Sequence, residues 1–427
     1  MPSTFQPPAW VHYTNIYEVN LRQYTPEGTI NAFANHLPRL KEMGVETLWF
    51  MPITPIALEK RKGVLGSYYA CSDYMAINPE FGKLADFKNL VTKAHEMGFK
   101  VIIDWVANHT GWDHVWTKQH PEWYKIEKDG SFKSPSGMED IIELDFNNTE
   151  MRNGMMEAMR FWVNECDIDG FRCDLAFLVE LDFWQQARQV LDVSKKLFWL
   201  GELDLMVNPE YMQVFDAAYT WTWMHKIEEF YKKNSPLIEL LDVLHSYETE
   251  APVNSIPVWF TSNHDENSWN GTEYEKYGDM AMVLAGFSCT WAGIPLIYSG
   301  QELPNKKRLK FFDKNEIEWK GKNELHEFYK ILLNLRTSHP ALRAGDKIAS
   351  THILKTDAED KVLVFLRKNG SREVLVILNF SKGNLQFKIA DSKLSSRFRN
   401  IFTNEIMDLS INTEFKTCAW EFLVFEK

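Results

Sequence analysis

Several apolar runs in this sequence of 427 residues end in groups that can carry charge or move a proton. Asp104 is followed by Asn108 and His109. Arg172 precedes Asp174, and Glu202 follows Phe198, Trp199 and Leu200. His264 adjoins Asp265, and Gln301 adjoins Glu302. A carboxylate at the end of a buried strand is costly unless it is paired or used. A single acid there can cap the following helix, but Asp174, Glu202 and Asp265 together exceed what capping needs. Three carboxylates with one arginine and two histidines suit two chemistries. Divalent cations take several oxygen ligands held close together. Glycoside cleavage takes one ionised carboxylate and one protonated carboxyl group. The metal-ligand spacings HxH and HExxH are absent, which favours the second. Arg172 lies two residues before Asp174, on the same face of a strand, where its guanidinium would hold Asp174 ionised. The apolar run before Glu202 would help its carboxyl group keep a proton, as a general acid requires.

The elements that must position these residues alternate along the chain. Apolar strand runs end at Asn20 (IYEVN) and span 45–52 (VETLWFMP), 99–105, 169–174, 197–202, 215–220, 257–263 and 294–300. Helical spacing follows at 30–43, where Pro38 should break the helix, and again from Phe87 to Gly98. Further helical stretches are expected at 149–165, 179–194, 222–248, 276–290 and 322–337. Strand runs without polar alternation indicate a parallel sheet buried on both faces, and repeated βα units of this number suggest a (β/α)₈ barrel, with an open doubly wound sheet as the alternative. Catalytic groups of such barrels sit at the C-terminal ends of the strands, where the polar residues above lie. No glycine-rich nucleotide fingerprint follows the first strand. The expected organisation is a barrel over 1–109 and 148–342, a short aromatic-rich insertion over 110–147, and an all-β sandwich over 343–427. The last begins with the hairpin KVLVFLRK–Asn369–Gly370–REVLVILNF.

Composition narrows the partners. A net charge of −12, from 47 basic and 59 acidic residues, opposes nucleic-acid binding. There is no run of about 18 apolar residues, so no membrane span is expected. Five scattered cysteines without a CxxC pair fit a reducing compartment, and MPSTFQPPAW has no signal-peptide pattern, so a cytoplasmic location is expected. Nothing in the sequence sets an oligomeric state. Aromatic residues make up 14% of the chain. They serve either a large core or a site that takes the flat C–H faces of sugar rings.

DWVANH (104–109), GFRCD (170–174), GE (201–202) and SNHDE (262–266) resemble, in order and spacing, the four motifs of the α-amylase family of glycoside hydrolases. GSYYACSDYMAINPEFG (66–82) and GIPLIYSGQE (293–302) resemble that family's segments after the second strand and in the eighth. The resemblance spans about residues 10 to 340. It implies Asp174 as nucleophile, Glu202 as acid and then base, and Asp265 as the carboxylate that binds sugar hydroxyls. It further implies that Arg172 keeps Asp174 charged, that His109 and His264 hydrogen-bond the sugar, and that Tyr69 stacks beneath its ring. The mechanism should be retaining, with the carboxyl groups of Asp174 and Glu202 roughly 5–5.5 Å apart.

The pattern also departs from the family. Ala176 and Phe177 stand where many members carry Lys-His, a pair that contacts the leaving group and contributes a calcium ligand. Asn108 matches a common calcium ligand, but one residue does not make a site, and no metal or other cofactor is expected to be required. The short insertion is similar to that of open-cleft enzymes acting on α-1,4 bonds. Trp269 either lines the leaving-group side or packs within its loop, and Cys173 should be a packed thiol. The expected substrate is an α-glucan or malto-oligosaccharide. The competing readings are a transglycosylase of the same family, a non-catalytic sugar-binding relative, which would have lost catalytic acids, and a metal-dependent hydrolase.

Overall fold

The computed structural model describes residues 5–319, 323–390, 394, 396–409 and 414–427. Eight parallel strands close into a barrel: β1 (Ile16–Val19), β2 (Thr47–Phe50), β3 (Lys100–Trp105), β4 (Gly170–Cys173), β5 (Phe198–Asp204), β6 (Ala217–Tyr219), β7 (Ile256–Phe260) and β8 (Ile294–Tyr298). Each pairs with its neighbours in sequence order, and β1 closes on β8. The barrel expected from the repeated βα pattern is therefore present.

Alternation along each strand decides what faces inward. Ile16, Trp49, Ile102, Phe198, Leu200, Val258 and Leu296 share one buried cluster inside the barrel. Continuing two residues towards the C-terminal end, Ile16 leads to Glu18, Ile102 to Asp104, and Leu200 to Glu202. The inward files thus change from aliphatic to charged at the mouth. The odd-phase residues, such as Tyr17, Ile103, Phe171 and Trp199, pack outward under the helices.

The helices follow the spacing in the sequence with informative breaks. Pro38 splits the first helical stretch into Ile30–Ala34 and Leu37–Met43, and it sits in the first turn of the second piece, where its missing N–H is harmless. The expected helix 222–248 is two helices, Trp221–Lys233 and Leu237–Thr249, parted by Asn234 at φ 52° and by Pro236. The stretch 276–290 likewise divides into Glu273–Tyr277 and Ala281–Thr290 around Gly278. The closing helix is His326–Ser338; residue 322 of the expected stretch lies outside the described residues.

After β3 the chain makes a small antiparallel pair, His109–Gly111 with Ile141–Glu143. Between them, Trp116, Trp123 and Tyr124 are buried and join the core that lies around the barrel. The C-terminal region is all-β. A six-stranded sheet and the pair Leu385–Lys388 with Glu414–Thr417 share one core that includes Leu366, Leu375, Phe387 and Phe415. The other face of the large sheet covers the barrel, with Phe365 against Trp291 at 4.8 Å between ring centroids. Because both faces are buried, the run Val362–Asn369 shows no polar alternation until its end. All five cysteines are free, and Cys173 is fully buried in the outer core. Among the described residues no helix is long and apolar enough to cross a membrane.

Candidate active site

The registers of β3, β4 and β5 bring the first cluster together. Asp104 pairs in register with Arg172, and Cys173 with Gly201, so Asp174 and Glu202 emerge side by side at adjacent strand ends. A register shift between Gly201 and Asp204 marks a bulge at Glu202, the device by which strands re-aim a side chain near a site. Leu175, directly after Asp174, holds a left-handed backbone at φ 40°, a conformation that costs a β- or γ-branched residue about 1–3 kcal/mol. Its N–H donates to Glu202 Oε2 at 2.7 Å, which ties the turn after β4 to the acid on β5.

Arg172 is fully buried beneath these acids. Its Nη1 donates to Asp104 Oδ1 and to Asp174 Oδ1, both at 2.9 Å. Its Nη2 lies 2.9 Å from Glu202 Oε1, an ion contact without the alignment of a hydrogen bond. The guanidinium rests over the Trp49 ring, 5.0 Å from its centroid. Burial, reinforced by the Glu202 and Asp104 charges, pushes the Asp174 carboxyl well above the usual aspartate range in spite of Arg172. Burial likewise raises Asp104 to about 6. Arg172 pairs with Asp174, but the same guanidinium also serves Asp104 and Glu202.

A second cluster surrounds His264. Its Nδ1 lies 2.6 Å from Glu18 Oε1, and its Nε2 lies 2.6 Å from Tyr69 Oη and 3.3 Å from Asp265 Oδ2. Tyr69 Oη donates to Asp104 Oδ2 at 3.1 Å, so it bridges the two clusters. Burial works against an ionised Asp265, but the charge and hydrogen bond of His264 carry it below the ordinary range.

Both clusters open into one cleft of about 590 Å³, whose walls include Tyr69, His109, Asp174, Glu202, Asp265 and Trp269. His109 is buried, which lowers its imidazole to about 4 and leaves it neutral at ordinary pH. Trp269 is half exposed, packs beside Phe311 with 5.2 Å between ring centroids and is among the residues that line the cleft. Tyr69 is nearly parallel to the His264 and Phe311 rings. Both nitrogens of His264 meet protein partners, Glu18 on Nδ1 and Tyr69 and Asp265 on Nε2. Gln301 and Glu302 do not join the site. Gln301 donates to Thr261 and Glu273, while Glu302 pairs with Arg39 and accepts from Tyr17.

Sequence reading did not single out Glu18, Phe311, Phe312 or Lys62. Glu18 had a signal, two residues beyond Ile16 on an inward file. Phe311 and Phe312 form an aromatic pair in an otherwise charged loop after β8. Lys62 pairs with Asp140 at 2.9 Å and joins the loop after β2 to the inserted segment in one cleft wall.

Asn108 has no acidic cage. Its Nδ2 lies 3.3 Å from His109 Nδ1. Among the described residues, the one group of three or more His, Cys, Asp or Glu ligand atoms close enough to share an ion is Glu42, His326 and Glu327, on a different surface.

Residues 12–135 and 120–324 match the family model described as the catalytic domain of alpha amylase. A noncanonic maltogenic alpha-amylase, AmyB, from Thermotoga neapolitana superposes with a TM-score of 0.88 at 32% identity, covering 98% of this chain and 99% of that one. An alpha-amylase from Lactobacillus plantarum superposes with a TM-score of 0.87 at 26% identity, covering 98% of this chain and 100% of the other. Alpha-amylase MalA of Haloarcula japonica is 25% identical over 391 residues, which is 88% of this chain but 56% of that protein, so the chain spans about half the length of this relative. With four ordered motifs at the mouth of one barrel and a family match over most of the catalytic region, the chain belongs to the α-amylase family.

Proposed function

We propose that the chain is a retaining glycosidase that cleaves α-1,4-glucosidic bonds in starch-type glucans or malto-oligosaccharides. In the first step Asp174 attacks the anomeric carbon while a proton passes from Glu202 to the leaving glycosidic oxygen, giving a covalent glycosyl ester. In the second, Glu202 takes a proton from water, the water oxygen attacks the anomeric carbon, and the Asp174 carboxylate departs. Asp265, held ionised by His264, binds sugar hydroxyls and offsets the positive charge that develops on the ring. Neutral His109 hydrogen-bonds a hydroxyl, and Tyr69 and Trp269 offer ring faces to the sugar. One observation carries this reading: the two ends of a single buried guanidinium touch Asp174 and Glu202 at 2.9 Å each, inside a cleft walled by aromatics.

The test is incubation with soluble starch, maltotriose and pullulan, with products sized over time and their anomeric form read by NMR. Newly formed α-anomers support the reading; β-anomers, or no cleavage of any of the three, overturn it. Transglycosylation is the second reading, favoured by the apolar wall of Trp269, Phe311 and Phe312 beside Asp265, which disfavours water at the glycosyl ester. Oligomers longer than maltotriose would support it. No calcium is required on this reading, and activity and melting temperature should be unchanged by a chelator. Five free cysteines favour a reducing compartment such as the cytoplasm.

A further inference from the structure

Glu18 takes no part in the bond-breaking steps above, yet it is a fully buried carboxylate at the mouth end of β1. Its Oε1 lies 2.6 Å from His264 Nδ1 and also accepts the His264 backbone N–H at 3.3 Å, while Oε2 meets no protein donor. A carboxylate at 2.6 Å requires a proton on Nδ1. If Nε2 were bare, its lone pair would face the Asp265 carboxylate, and Tyr69 would have to turn its hydroxyl hydrogen away from Asp104. With a proton on Nε2 as well, every close contact along Glu18, His264, Tyr69, Asp104 and Arg172 has one donor and one acceptor.

We propose that Glu18 is a positioning residue of this active site: by pairing with His264 Nδ1 it fixes the imidazole in the form whose Nε2–H points at Asp265 and Tyr69, and so presets the cleft's third carboxylate for the sugar. The proposal rests on the glycosidase reading above for its catalytic meaning, and on geometry alone for the state of His264.

The surroundings agree. Glu18 faces His264 from the loop after β7, Arg172 from β4, Tyr219 from β6 and Tyr298 from β8. His264 faces Glu18, Asp265 and Tyr69, with the Trp49 ring edge-on at 5.9 Å. Burial disfavours a charged imidazole, but the Asp265 and Glu18 charges outweigh it and hold His264 well above its ordinary range. The same count holds if the proton between Glu18 and Nδ1 sits nearer the carboxylate, since the pair keeps it either way.

The experiment uses the full chain labelled with ¹⁵N-histidine, with the His264 signal assigned by its loss in His264→Gln. Both ring nitrogens should stay protonated through pH 8. Glu18→Gln keeps the shape and one acceptor oxygen but removes the charge. It should lower the His264 titration by about 1–3 pH units, the effect of an opposite charge at this range. The alkaline limb of kcat/KM for maltotriose should move down with it. A neutral His264 ring at pH 7 in the unaltered protein overturns the proposal, as does a Glu18→Gln profile that superposes on the unaltered one. Should Glu18→Gln not fold, the titration of the unaltered protein decides. An unaltered protein inactive on every glucan would strike the glycosidase reading, while the titration would still test Glu18.

Discussion

Two buried cations organise the mouth of the barrel, and they differ in kind. Arg172 gathers Asp104, Asp174 and Glu202; His264 gathers Glu18 and Asp265. A guanidinium cannot lose its proton in a protein, whereas an imidazole can. The half of the site where a proton must travel, between Asp174 and Glu202, is thus anchored by a charge that never titrates. It is also short of positive charge, since three acids share one cation. On the proposed reading, the half that only has to bind a hydroxyl needs Asp265 ionised, and there the cation faces two acids. Tyr69 Oη hydrogen-bonds both halves.

The comparison can be broken at its strongest point first. Asp174→Asn removes the attacking oxygen and should lower kcat by at least about 10⁴-fold, as loss of a nucleophile does, with the circular dichroism spectrum unchanged. Arg172→Lys tests whether the forked shape matters or the charge alone. A point charge cannot reach three carboxylates, so the variant should lose roughly 3–5 kcal/mol of stability, read by urea unfolding, along with most activity. If Arg172→Lys is as stable and active as the parent, the first half of the comparison fails. Tyr69→Phe cuts the bridge and should lower kcat/KM about 10- to 100-fold, the worth of a hydrogen bond to a charged group, while its ring remains for stacking. Trp269→Ala sharpens the picture from outside both clusters. It should raise KM for maltotriose about 3- to 10-fold with kcat nearly unchanged, and leave melting temperature where it was, because the residue is half exposed.

Much of this was legible without coordinates. Unalternated apolar runs are the direct consequence of strands covered on both faces, so the barrel could be counted from the runs ending at Asn20, Pro52, Trp105, Asp174, Glu202, Thr220, Asn263 and Gly300. The helix breaks at Asn234–Pro236 and at Gly278 were missed because the apolar spacing runs through them, and spacing outweighs a single breaker when read along a line. Phe311 and Phe312 were missed because a loop has no period to betray which side chains turn inward.

What the sequence settled by itself are the local and periodic matters: which segments are strands, which ends carry acids, and that Arg172 and Asp174 share a face. Tertiary structure alone decided how charge is apportioned. Whether Arg172 serves one carboxylate or three depends on strand register across β3, β4 and β5, and the meeting of His264 with Glu18 depends on barrel closure, which leaves only β8 between β1 and β7. Electrostatic energy falls with distance in space and with the loss of water around a group, and neither quantity can be read from separation along the chain.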